Sequence, residues 1–275
     1  MGGLVHAVKL TAVPPPGAGA SLGYPRRAMR VVLISSDEPP GAWLASELAR
    51  RWDLAMLAVP VPHPPADMPA SHWSNEATME RTRERLAGDS QLAFEDLGPT
   101  IRAGTPNEAD AVDWLRAQQP DVIVDYRTGI LKAEVLAVPR LAALNLHGGN
   151  PERYRGLDAR SWTIYHRDFD NLMTCLHVLD PELDTGAIVG AGALPLTSET
   201  EFVDLLALGT EMGLDLVLAA LAILDDRGRI PARPQLERGR YYSWMPASLK
   251  DDCIAKFERH VESLSPQFAG DGANS

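Results

Sequence analysis

Four short apolar runs constrain this chain more than any other feature: RVVLIS after Met29, LAMLAV from Leu54, DVIVDY from Asp121 and AALNLH from Ala142. Each is too short for a helix and rich in the residues that fill buried strands. DVIVDY in particular is apolar on consecutive positions, the pattern of a parallel strand covered on both faces. Helical patterns lie between the runs, at 76–86, 107–118, 133–138 and 158–167, and two further strands are predicted at 171–179 and 187–194. Strands alternating with helices predict an α/β fold with a doubly wound, mostly parallel sheet. Ligands of such sheets bind beyond the carboxyl ends of the strands. The loops after Ile34, Val124 and His147 are therefore expected to line a site.

The pattern divides the 275 residues. Residues 1–28, rich in Pro, Gly and Ala, lack the apolar core of a secretory signal and are expected to be a disordered leader. Residues 29–197 form the expected catalytic domain. Residues 198–264, with a long apolar helix after Glu199, a GRYYSW segment and a last helix, are expected to be a small helical appendage whose apolar helix offers a homodimer surface. Residues 265–275 are expected to be a flexible tail. A net charge of −11 argues against a partner held by its phosphate backbone, so no nucleic acid is expected. Two lone cysteines, Cys175 and Cys253, make neither a disulfide framework nor a zinc cluster, so no metal is expected, and they fit a reducing cytoplasm. No run reads as long enough to cross a membrane, and no membrane partner is expected.

Three segments carry chemistry-bearing residues in unusual places. LNLHGGNPERYRG puts Asn145 and His147 two residues apart, hence on one face of a strand, with Leu144 and Leu146 on the other. They are either strand-end polar groups bonded to nearby backbone or reactive groups. LDPELDTGAIV holds Asp184 before Thr-Gly, explained by an Asx-turn or by a carboxylate that serves His147. DYRTGIL, from Asp125 to Leu131, is either a polar strand-to-helix turn or a ligand loop. There is no dinucleotide glycine fingerprint and no Walker loop.

In their order along the chain, these three segments resemble the formyltransferase family that uses 10-formyltetrahydrofolate. The likeness runs from about Pro120 to Val189. It implies a Rossmann-like formyltransferase fold and an enzyme in which Asn145, His147 and Asp184 are catalytic. It further implies that Thr128, Gly129, Ile130, Leu131, Leu179, Asp180 and Leu183 hold the donor, 10-formyltetrahydrofolate, largely through backbone groups. Asn145 and a protonated His147 are then expected to donate to the oxyanion at the formyl carbon. Asp184 is expected to orient His147 and raise its pKa. His177 falls where some relatives carry a histidine and is as readily a packed side chain; His72, His166 and Cys175 read as structural.

Departures from the family pattern bear on the acceptor. Relatives acting on initiator tRNA carry S-L-L-P after the histidine and a further C-terminal domain, whereas here the residues are GGNP and the chain after the sheet is short. SSDEPPG does not match the phosphate loop of the glycinamide-ribonucleotide enzyme. The expected acceptor is the amine of a small molecule, an amino sugar or nucleotide-linked amino sugar. Arg153, Tyr154 and Arg155 then stand near it, or the two arginines anchor a loop. A hydrolase of the same donor, a tRNA-directed enzyme and a folate-binding protein without turnover are the alternatives.

Overall fold

The computed structural model describes residues 29–86 and 93–265. The expected leader, and all of the expected tail except Ser265, lie outside the described residues. In chain order the elements are β1 (Arg30–Ser35), α1 (Pro39–Ala49), β2 (Asp53–Ala58), α2 (Glu76–Leu86), β3 (Thr100–Arg102), α3 (Ala109–Gln118), β4 (Val122–Tyr126), α4 (Ala133–Leu136) and β5 (Ala142–His147). They continue with β6 (Tyr154–Gly156), α5 (Ala159–Tyr165), β7 (Met173–Val178), β8 (Ile188–Ala193), α6 (Leu205–Arg227), β9 (Arg240–Tyr242) and α7 (Ala247–Ser263).

Seven strands form one sheet in the order β3-β2-β1-β4-β5-β7-β8. The first five are parallel, and β7 and β8 are antiparallel additions at one edge. This is the expected doubly wound, mostly parallel α/β sheet. The chain winds outward from β1 in one direction and from β4 in the other, so the strand order reverses between them and opens a crevice at their carboxyl ends.

Strand alternation sorts the core. Val31, Leu33, Val122, Val124, Leu144 and Leu146 face α1 and α6. Val32, Ile34, Ile123 and Ala143 face α3 and α4. A third cluster joins α5, α7 and the start of α6 around Trp73, Phe202 and Phe257. The two helices of 198–264 thus differ: α6 is built into the main core, and α7 packs against α5 outside the sheet.

One sequence expectation is corrected here. The helical stretch Phe202–Arg227 is long and apolar enough to cross a membrane by length and composition. Burial explains it: Leu214, Val217, Leu221 and Leu224 are packed into the protein's own core, as a central helix of a globular fold requires. Those same residues are therefore not available as the dimer surface read from the sequence.

Candidate active site

Register brings the polar residues together. Asp125 on β4 pairs with Asn145 on β5, and Asn145 pairs with His177 on β7, so the three form a row on one face at the carboxyl end of the sheet. His147 follows two residues beyond Asn145 on that face. The neighbouring Leu144 and Leu146 sit in the opposite core, which fixes the face that Asn145 and His147 present.

Asp184 reaches this row from the loop between β7 and β8. It holds a left-handed backbone at φ 54°, an unusual state for a non-glycine residue. Gly186 permits the approach, since a Cβ there would stand 1.7 Å from the Val178 carbonyl oxygen. The backbone N–H of Gly156, itself at φ 92°, donates to Asp184 Oδ2 at 2.8 Å. Asp184 Oδ1 is left between two imidazoles, 3.7 Å from His147 Nδ1 and 3.6 Å from His177 Nε2. The Asx-turn explanation belongs instead to Asp180, whose Oδ1 accepts from Glu182 N at 3.1 Å and from Thr185 Oγ1 at 2.7 Å.

The hydrogen bonds fix both tautomers. His147 Nε2–H donates to the Tyr154 carbonyl at 2.8 Å, which leaves the lone pair on Nδ1, facing Asp184. His177 Nδ1–H donates to the Val178 carbonyl at 2.9 Å, and His177 Nε2 accepts from Asn145 Nδ2 at 3.1 Å. One amide hydrogen of Asn145 remains uncommitted.

Electrostatics corrects the expectation of a protonated His147. Burial lowers its pKa, with His177 and Arg160 adding to the effect, against the pull of Asp184 and the Tyr154 carbonyl. Burial wins because the ring is only 7% exposed. Burial acts upward on Asp184, but His147, His177 and the Gly156 N–H outweigh it and hold the carboxyl well below its ordinary range. The pair at rest is a neutral imidazole beside a carboxylate. Asp125 is pushed up to about 7 by burial, opposed by the Thr128 hydroxyl that donates to it and by His177.

These groups open into a cavity of about 350 Å³, within the range of small-molecule sites. Thr128, Gly129, Ile130, Leu131, Leu179, Asp180 and Leu183 all stand on its wall. Asn107 braces the first of these segments, donating to the Ile130 carbonyl at 2.8 Å and accepting from Lys132 N at 2.7 Å. Loops after β4 and β5 line the cavity as expected. The loop after β1 does not; its Glu38 stands behind the wall, 3.4 Å from Arg127 Nη2, and Val61 and Pro62 take its place.

Arg153, Tyr154 and Arg155 are not brought to the cavity wall. Arg153 pairs with Glu237 at 2.9 Å. Tyr154 is buried, with its hydroxyl donating to Asp168 Oδ2 at 3.0 Å. Arg155 donates to the carbonyls of Gly239 at 2.7 Å and Leu183 at 2.9 Å, the loop-anchoring arrangement. Asp125, which opens the candidate ligand loop DYRTGIL, lines the cavity, and so do Trp73 and Arg160, which the sequence passed over. Trp73 and Arg160 arrive from a short 3-10 turn, His72–Ser74, and from α5, which no strand pattern places. Among the described residues, no group of three His, Cys, Asp or Glu side chains could hold a metal ion.

The formyl transferase family model matches residues 70–218, more than half of the chain and every residue of this constellation. The chain belongs to the formyl transferase family. This formyl transferase is 38% identical over 184 residues to a methionyl-tRNA formyltransferase of Ralstonia nicotianae, covering 62% of this chain and 54% of that protein. The chain spans about half the length of the curated relatives it matches. Among solved structures, a sugar N-formyltransferase from a Shewanella species superposes with a TM-score of 0.53 at 14% identity, covering 83% of this chain and 87% of that one. A sugar 3N-formyl transferase solved in the presence of dTDP and 5-N-formyl-THF gives 0.51 at 13% identity, over 78% and 70%. At these identities the structural likeness speaks for the fold.

Proposed function

We propose that this formyl transferase moves a formyl group from 10-formyltetrahydrofolate to the amine of a small molecule, in the cytoplasm. The single observation that carries the reading is the constellation of Asn145, His147 and Asp184 at the end of a cavity walled by 128–131 and 179–183. A neighbouring structure with a formyl-folate supports the choice of donor. The wall fits a flat, partly apolar ring: Leu131 and Leu179 give apolar surface, and the braced 128–131 segment presents backbone groups.

When bound, the donor supplies an electrophilic formyl carbon. The free amide hydrogen of Asn145 then donates to the oxygen on which negative charge develops. His147, neutral with its lone pair on Nδ1, takes the proton that the attacking amine loses and returns it to the folate nitrogen as that nitrogen's bond to the formyl carbon breaks; Asp184 stabilises the imidazolium in between. The Tyr154 carbonyl holds the ring throughout. This gives His147 the role of base in place of the protonated donor expected from the sequence.

Two observations favour a small acceptor. The chain carries a net charge of −11, and arginines around the neighbouring loops are neutralised: Arg153 by Glu237, Arg233 by Glu152 at 2.7 Å and Arg238 by Glu182 at 2.8 Å. Such pairs leave little free charge for a phosphate backbone. The second reading is transfer to methionyl-tRNA, and the curated sequence relatives back it more directly than the first. Incubation of the full chain with 10-formyltetrahydrofolate and, in parallel, amino sugars, nucleotide-linked amino sugars and charged initiator tRNA decides between them by mass spectrometry of the acceptor. Formylated tRNA alone would displace the small-amine reading; folate consumption without any formylated acceptor would indicate the hydrolase.

A further inference from the structure

The cavity has a second polar corner, built on α5 rather than on the sheet. Arg160 lines it, only 7% exposed. Its Nε has no hydrogen-bond partner, and its Nη2 meets only Thr174 Oγ1, at 3.5 Å. No carboxylate among the described residues forms an ion pair with it. The face of Trp73 lies 5.4 Å from Cζ and holds the guanidinium from one side. The chain makes room for it on another: a Cβ at Gly209 of α6 would stand 2.2 Å from Arg160 Nη2.

Arg127 borders the same corner. Its Nη2 donates to the Trp73 carbonyl at 2.8 Å and stands 3.4 Å from Glu38 Oε2, but its Nε is also buried without a partner. Burial depresses Arg160 to about 10, and the charge of Arg127 adds to that effect. A desolvated cation without a counter-charge is strongly unfavourable in a folded chain unless something else offsets it. Planar guanidinium groups are matched by the paired oxygens of carboxylates and phosphates.

We propose that Arg160, with Arg127 beside it, forms an oxyanion subsite that binds a carboxylate or phosphate carried by the acceptor. The inference rests on the formyl-transfer reading and narrows it: the acceptor is an amine that bears its own anionic group. Gly148, directly after His147, adjoins the guanidinium, with a Cβ there 3.5 Å from Nη2. An anion held at Arg160 therefore sets the attached amine next to His147 Nδ1 and Asn145. The same anion offsets the effect of Arg160 on His147, so occupancy of the subsite makes the base stronger.

The test is calorimetric titration of the full chain with inorganic phosphate, with acetate and, separately, with 5-formyltetrahydrofolate. Wild-type protein should bind phosphate or acetate at one site. Arg160→Gln should weaken that binding by about tenfold or more, as loss of a charge-assisted hydrogen bond does, while 5-formyltetrahydrofolate binds as before. Tighter phosphate assigns the subsite to a phosphate ester, and tighter acetate to a carboxylate. Arg116→Gln, on the exposed end of α3, should change none of these. Arg160→Met supplies a second readout: without ligand it should melt above wild type, because a buried unpaired charge has gone, and phosphate or acetate should no longer raise its Tm. Absence of oxyanion binding by wild type, undiminished binding by Arg160→Gln, or an Arg160→Met protein that melts lower would overturn the proposal. So would loss of 5-formyltetrahydrofolate affinity in Arg160→Gln, since the guanidinium would then serve the folate's own carboxylates. Oxyanion binding without any folate binding in wild type would sink the donor reading and leave the subsite standing.

Discussion

The two walls of the cavity are made in different ways. The wall proposed to react is made of side chains on β4, β5 and β7, fixed by strand register, with Asp184 joining them from the β7–β8 loop. The wall proposed to hold the donor is made of loop backbone at 128–131 and 179–183, held by the side chains of Asn107 and Asp180. On the first, a changed side chain removes a reacting group; on the second, it loosens a surface. Turnover should be sensitive to the first wall and donor affinity to the second.

The largest break in that comparison is His147→Ala. It should lower kcat by about 10²–10⁴-fold in single-turnover assays while leaving folate affinity nearly intact, as removal of a positioned proton acceptor does. Equal losses in kcat and in folate binding would mean that the two walls are one. Asn145→Ala should cost about 10²–10³-fold in kcat, the usual effect of one lost oxyanion donor. His177 should become mobile in that variant, and its ring resonances would report this.

The pH profile sharpens the comparison further. His147 must be neutral to act as a base, so activity should fall as pH drops through a value below the ordinary 6.5. Asp184 opposes that lowering, so Asp184→Asn should move the acid limb to still lower pH as it reduces the rate. An acid limb that moved upward would contradict the assignment of His147 as base.

His72 tests whether buried imidazoles matter away from the reactive wall. It lies behind Trp73 with Nδ1 3.1 Å from Ser161 Oγ, and burial lowers it to about 4, with Lys250 adding to the effect. Its folded pKa is depressed, so the unfolded chain binds the proton first. The stability it contributes is present above 6.5 and lost as pH falls from there towards 4. The loss is at most about 3 kcal/mol. Denaturant melts of His72→Gln should show a flatter dependence across that window. The smallest effect belongs to the donor wall: Asn107→Ala should weaken folate binding by about 1 kcal/mol with kcat unchanged, measured as a rise in KM.

The shared face of Asn145 and His147 was legible in the sequence because strands alternate. Once Leu144 and Leu146 are assigned to a core, Asn145 and His147 must share the other face. The fold was legible for the same reason, down to the buried run of β4. The placement of the donor wall came from resemblance alone, since a loop's backbone leaves no periodic trace. Arg160 escaped notice because its niche is made by Trp73, Gly148 and Gly209, far apart in sequence and joined only by packing. The lowering of the His147 pKa by burial was not legible, because counting its carboxylate neighbour says nothing of how deeply both are buried. Arg153 and Arg155 read equally as ligands or anchors, and only their partners, the Glu237 carboxylate for the first and the Gly239 and Leu183 carbonyls for the second, separate the two.

The acceptor of the His147 ring, the Tyr154 carbonyl, belongs to β6, and β6 is clasped in parallel register by β9, with Tyr154 against Arg240 and Gly156 against Tyr242. The ring's orientation thus depends on residues more than eighty positions downstream. During synthesis, a nascent chain can complete the seven-stranded sheet and still lack this clasp. The proposed reactivity would come late, only after Tyr242 has left the ribosome.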